Sequence, residues 1–111
     1  MRNAARIMAL GLLWAAAAGA GEPGAGEAVY QRWCVHCHSS GRGNPGTESL
    51  QVKYKGTPPA LLLERTDLTA DAIKVFVRQG VLSMPPFRKT EITDAELAAL
   101  STWMASGGGK R

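Results

Sequence analysis

Histidine and cysteine are scarce in this chain, which has two of each, all within Cys34-Val35-His36-Cys37-His38. No ligand pair is left elsewhere to complete a tetrahedral zinc site, which needs four donors around the metal. The βαβ pattern that would accompany a thioredoxin-like Cys-x-x-Cys is missing too. A disulfide across so short a span closes almost no loop and stabilises little. Strand-period alternation, internal repeats and a phosphate-cradling glycine loop are also absent, so the domain reads as all-α. Long apolar runs are lacking as well. The apolar stretch from Ile7 to Ala18 falls short of the roughly 20 residues that a membrane-spanning helix needs.

What is present is an ordered set of donors. Two thiols at a Cys-x-x-Cys spacing with a histidine directly after the second form the pattern for covalent attachment of a c-type haem. Each sulfur adds to one vinyl group, so Cys34 and Cys37 are expected to carry two thioether bonds. One helical turn between them puts both on one side of the macrocycle, and His38 follows as the proximal iron ligand. His36 lies between the cysteines and cannot reach the far side of the ring. For that side the candidate is Met84. Pro85 pushes it out of helical geometry onto a stiff, extended segment, and a thioether is one of the standard sixth ligands. Met104, its competitor once the amino-terminal segment is removed, falls in the last helix as a core residue.

The amino-terminal segment reads as an address. Arg2 and Arg6, the apolar run and Ala18-Gly19-Ala20 make a secretory signal peptide over residues 1–20, cut after Ala20, leaving a domain over 21–111. The two arginines are not adjacent, so twin-arginine export is not indicated. The expected location is the bacterial periplasm or an equivalent oxidising space. A mature chain of about 90 residues is marginal for an unaided hydrophobic core, and a bound macrocycle would supply apolar surface to pack on. The formal charge of +4 falls when Arg2 and Arg6 leave, and two haem propionates bring it near neutral. Nucleic-acid binding is therefore not indicated. Arg42, Lys53, Lys55, Arg65, Arg78, Arg88 and Lys89 are the candidates for a basic docking face.

Along the chain, Gly21 to Gly26 has linker composition. A helix is expected from Gly26 or Glu27, with Val29, Tyr30 and Trp33 on one apolar face running into Cys34. Ser39 to Thr47 reads as loop, with the Pro45 carbonyl as acceptor for the second ring nitrogen of His38. Leu50 is expected to face the haem. Lys53 to Gly56 reads as exposed loop, with Tyr54 near a propionate. Thr57-Pro58 looks like a helix start leading to Arg65. Thr69 caps a helix over Ala70 to Gln79 with Ile73, Phe76 and Val77 on its stripe, and Gly80 stops it. Thr93-Asp94-Ala95-Glu96 is a capping box, with Ile92 and Leu97 as the staple. Leu97, Leu100, Trp103 and Met104 form the buried stripe of the last helix.

These features together resemble class I monohaem cytochromes c. The likeness is carried by Gly26-x-x-x-Tyr30-x-x-x-Cys34-x-x-Cys37-His38, by Gly80-x-x-x-Met84-Pro85-x-Phe87, and by the Leu97/Leu100/Trp103 helix. It implies about four short helices around one covalently bound haem, with the first and last helices crossing and one haem edge exposed. The implied function is one-electron transfer between redox protein partners, a dehydrogenase donor and an oxidase or other cytochrome acceptor, without stable membrane insertion. Catalytic haem chemistry and gas sensing are the rival readings. Both need an open or displaceable sixth site, and no output domain accompanies the chain. Pro86 to Ile92 further resembles the cytochrome subunits serving 4-cresol dehydrogenase-like flavoenzymes, which implies a tightly held subunit as the alternative to a free carrier.

Overall fold

The last helix shows most directly how the sequence builds the fold. Thr93 accepts a hydrogen bond from the Glu96 amide at 3.1 Å, while Glu96 reaches back to the Thr93 amide at 2.8 Å. This reciprocal cap satisfies two orphan donors and contributes about 1 kcal/mol. The helix then buries Leu97, Leu100 and Met104 on one side. Ser101 is buried among them and loses no hydrogen bond, because its hydroxyl donates to the Leu97 carbonyl at 2.7 Å.

The computed structural model of the protein describes residues 22–108 together with Gly11. Apart from Gly11, the expected signal segment lies outside the described residues. The helices are α1 (Ala25–Trp33), α2 (Val35–His38), α3 (Pro45–Tyr54), α4 (Ala70–Gln79) and α5 (Asp94–Ala105), with a short 3-10 turn at Leu62–Glu64. Among the described residues there is no strand, only an isolated antiparallel bridge between Val81 and Met84. The all-α expectation holds, with five helices in place of about four. None of these helices is long and apolar enough to cross a membrane.

Helices α1 and α5 cross, and α4 packs against α5. Val29 and Tyr30 from α1, Ile73 and Val77 from α4, and Ile92, Leu97, Leu100 and Met104 form one buried cluster. Gly26 sets the depth of the crossing. A Cβ there would overlap the Ala99 carbonyl oxygen and lie 2.5 Å from the Trp103 Cβ, so a side chain would push the helices apart. Gly26 and Ala25 thus belong to α1 and not to a linker. The Tyr30 and Trp103 rings meet across the crossing with centroids 5.5 Å apart.

Helix α4 has the boundaries expected, and the Thr69 hydroxyl accepts from the Ala72 amide at 3.1 Å. Ile73 and Val77 are buried, but Phe76 is 45% exposed. It sits 60° around the helix from Ile73 and so at the edge of the stripe. Gly80 ends α4 at φ 66°, ψ 175°, a region that is essentially open to glycine only.

Two expectations are corrected. Residues 45–47 and 53–54, read as loop, lie within α3, with Asn44 as N-cap, Pro45 in the first turn and Lys55 at φ 53° as C-cap. None of its residues is fully buried, so it has no apolar stripe to announce it. The helix expected from Thr57 to Arg65 is only the 3-10 turn, entered from Leu61. Pro59 disfavours helical geometry at Pro58, which removes the first turn such a helix would need.

Candidate functional site

Helix α1 delivers its last apolar turn directly into the donor segment. Trp33 and Cys34 pack against the core cluster, and α2 follows with only Cys34 between. The Cys37 and His38 amides donate to the Cys34 carbonyl at 3.2 Å and 2.9 Å. This one turn holds Cys34, Cys37 and His38 together. Both cysteines are free thiols, Cys34 half-buried and Cys37 exposed. Burial, with the neighbouring Cys37 second, pushes the Cys34 thiol up to about 11. The Tyr30 phenol, whose hydroxyl lies 3.4 Å from the His38 carbonyl, is pushed up to about 12 by burial and then by Cys34.

The two histidines face different environments. The His36 Nε2 lies 3.2 Å from the Arg32 carbonyl on the exposed side. His38 is turned inward, and burial lowers its pKa, favouring the neutral imidazole that a metal requires. Its Nδ1 is buried and has no hydrogen-bond partner. The Pro45 carbonyl, expected as its acceptor, does not take that role. Pro45 opens α3, and a carbonyl in the first turn of a helix points along the axis toward the amide four residues on. What closes around the ring is the next residue. A Cβ on Gly46 would sit 2.7 Å from His38 Cε1, 2.8 Å from Nδ1 and 2.7 Å from the Cys37 carbonyl oxygen. A bare glycine here leaves just enough room for the imidazole.

Met84 is held on the connection between α4 and α5. Its amide donates to the Val81 carbonyl at 2.9 Å, and its carbonyl accepts from the Val81 amide at 3.1 Å. The tight turn between them places Leu82 at φ 51° with its side chain fully exposed. The Phe87 amide then donates to the Val77 carbonyl at 2.8 Å, returning the segment to α4. The structure links this segment to the donor turn through Trp33 and Phe87, whose rings meet edge-on with centroids 5.7 Å apart. Met84, Phe87, Trp33 and Cys34 border the same apolar cluster. Met104 is buried within that cluster, on α5.

Other candidates fall elsewhere. Tyr54 ends α3 and is half-buried, with the Arg65 guanidinium 5.1 Å and the Lys53 ammonium 5.2 Å from its ring centroid. Leu50 is half-buried on α3. Four of the basic residues are engaged in ion pairs, Arg65 with Asp67, Arg78 with Asp94, Arg88 with Glu91, and Lys89 with Asp94. Gly46 was not singled out from the sequence, and Arg78 was named only as a candidate for the basic docking face. The contact of Gly46 with His38 follows from the start of α3, read as loop, and nothing local marks the ties that Arg78 makes. Among the described residues no group of three or more His, Cys, Asp or Glu side chains could hold a metal ion.

The residues present fit a c-type haem. Two free thiols share a turn with an inward-turned imidazole, and a thioether borders the same apolar cluster. The family model described as cytochrome c oxidase, cbb3-type, subunit III matches residues 21–104 of the chain. Neither the curated proteins nor the solved structures contain a match.

Proposed function

Since this chain belongs to that family of c-type cytochromes, built on haem c for electron transfer, we propose that it carries one haem, fixed by thioethers to Cys34 and Cys37. When bound, the haem supplies a one-electron Fe(III)/Fe(II) couple. His38 is the proximal ligand. With Nδ1 enclosed beside Gly46, Nε2 is the nitrogen left for iron. Met84 is the distal ligand, and Met104 remains in the core. The observation that carries this assignment is the inward, unpartnered His38 on the same turn as two free thiols.

The chain's own residues then have three tasks. The Cys34–His38 turn fixes the porphyrin relative to α1. Burial lowers the His38 pKa, which favours the neutral form that ligates a metal. The turn at Val81–Met84 presents a thioether from a segment tied at both ends. Two protein ligands leave no position for substrate, and Met/His ligation raises the potential relative to two nitrogen ligands. The carrier is exported to the periplasm, accepts electrons from a dehydrogenase and passes them to an oxidase or another cytochrome. Its likeness over Pro86 to Ile92 supports a second form of the same chemistry, a tightly held subunit of a 4-cresol dehydrogenase-like flavoenzyme. Stoichiometric co-elution with a flavoprotein from periplasmic extract would favour the subunit, and elution of the chain alone the free carrier.

Replacing Met84 by Ala tests the ligand assignment. The variant is expected to keep covalent haem on a denaturing gel, to lose the far-red sulfur-to-iron band of the ferric protein, and to bind added cyanide and carbon monoxide. Persistence of the band in Met84→Ala, or its loss in Met104→Ala alone, would exclude Met84.

A further inference from the structure

The connection that carries Met84 is fastened by a side chain with no sequence motif of its own. Arg78 lies in the last turn of α4, and its side chain is only 23% exposed. Its Nη1 donates to the Phe87 carbonyl at 3.1 Å and to the Ile92 carbonyl at 2.8 Å. Its Nη2 donates to Asp94 Oδ1 at 2.8 Å. One guanidinium therefore spans a residue close after Met84, the residue before the α5 cap, and the first residue of α5. The planar fork suits this arrangement, because it offers several donors in fixed directions that an ammonium cannot reproduce.

These contacts bear on the axial ligand. The segment from Val81 to Ile92 leaves α4 at Gly80 and returns through the Phe87 amide and Ile92, which is fully buried. Between those points Met84 is restrained by the Val81 turn. If Met84 holds iron, a lift of this strap would withdraw the thioether while leaving the α1/α5 crossing intact. Local openings of this kind cost less than global unfolding, and hydrogen bonds to a charged donor are among the stronger ones restraining them.

We infer that Arg78 is a positioning residue for the Met84 ligand, a clamp that sets how often the strap lifts and the sixth position opens. The inference rests on the reading of Met84 as axial ligand. It predicts that the rate at which cyanide displaces the thioether in the ferric holoprotein reports Arg78 more sharply than overall stability does.

The experiment measures cyanide-binding rates and the far-red band in four variants alongside the unaltered protein. Arg78→Ala is expected to bind cyanide roughly tenfold faster, in line with the loss of charge-assisted hydrogen bonds. Arg78→Lys keeps the charge without the fork and is expected to show a smaller rise, which serves if the alanine variant does not fold. Asp94→Asn retains both carbonyl contacts and is expected to change the rate less than Arg78→Lys. Ile73→Val lowers global stability through the core beneath the same helix and is expected to leave the rate unchanged. Unaltered rates in both Arg78 variants, or an equal rise in Ile73→Val, would overturn the clamp. Absence of the far-red band in the unaltered protein would instead remove the Met84 reading, and the clamp with it.

Discussion

Around His38 the chain is held by volume, and around Met84 it is held by hydrogen bonds. The imidazole has a buried Nδ1 with no partner and a glycine pressed against it. The thioether sits on a strap with a two-way backbone bridge, a return bond to Val77 and the Arg78 fork. The comparison teaches where each side is vulnerable. Adding one carbon is expected to disturb the His38 side, where close packing leaves no slack. The Met84 side tolerates changes in exposed side chains but not the loss of its polar ties.

The largest effect expected within that comparison comes from Gly46→Ala. In an ordinary helix this change stabilises by about 0.5–1 kcal/mol. Here the new Cβ would overlap His38 and the Cys37 carbonyl, and overpacking of this kind costs about 1–3 kcal/mol. Denaturant unfolding of the holoprotein is expected to show a net loss, together with a shifted ferric spectrum from a displaced imidazole. A gain in stability with an unchanged spectrum would mean that His38 is not held by volume.

A smaller effect of opposite sign is expected from Leu82→Gly. Leu82 occupies φ 51° and its side chain touches nothing it would lose. Relief of the left-handed strain is worth about 1 kcal/mol, so the same unfolding measurement is expected to show stabilisation. A destabilised variant would show that the side chain is in use.

The smallest effect concerns acid. Lys89, and after it Arg78, hold the Asp94 carboxyl below its usual 3.8. Its contribution is therefore complete above that value and is lost as pH falls through the lower folded-state value. Asp94→Asn is expected to flatten the acid limb of an unfolding-versus-pH curve only slightly, because the carboxylate is largely exposed to solvent. A steep change there would mean that the ion pair, more than the two carbonyl contacts, holds the strap.

The same contrast explains what could be read from residues alone. Helices α4 and α5 carry their own punctuation, Thr69 and Gly80 for one and the Thr93–Glu96 box for the other, with stripes that match a 3.6-residue period. Helix α3 has a start signal in Asn44-Pro45 but no stripe, because it buries no residue fully, and its glycine and polar residues read as loop. In the site, Cys34, Cys37 and His38 were legible because one turn holds them, and the position of Met84 followed from Pro85. The absence of an acceptor for His38 depends on how α3 aims the Pro45 carbonyl. The Arg78 clamp depends on partners 9, 14 and 16 residues away. Neither is a local property of sequence.

The central claim is that His38 and Met84 together close the iron of a single haem c. It is tested most directly by the absorption spectrum of the purified, unaltered protein, oxidised and then reduced with and without carbon monoxide. The account predicts a far-red band in the ferric state, a sharp c-type α band on reduction, and no change on adding carbon monoxide. A high-spin spectrum that shifts with carbon monoxide would contradict it and return the chain to the catalytic or gas-binding readings.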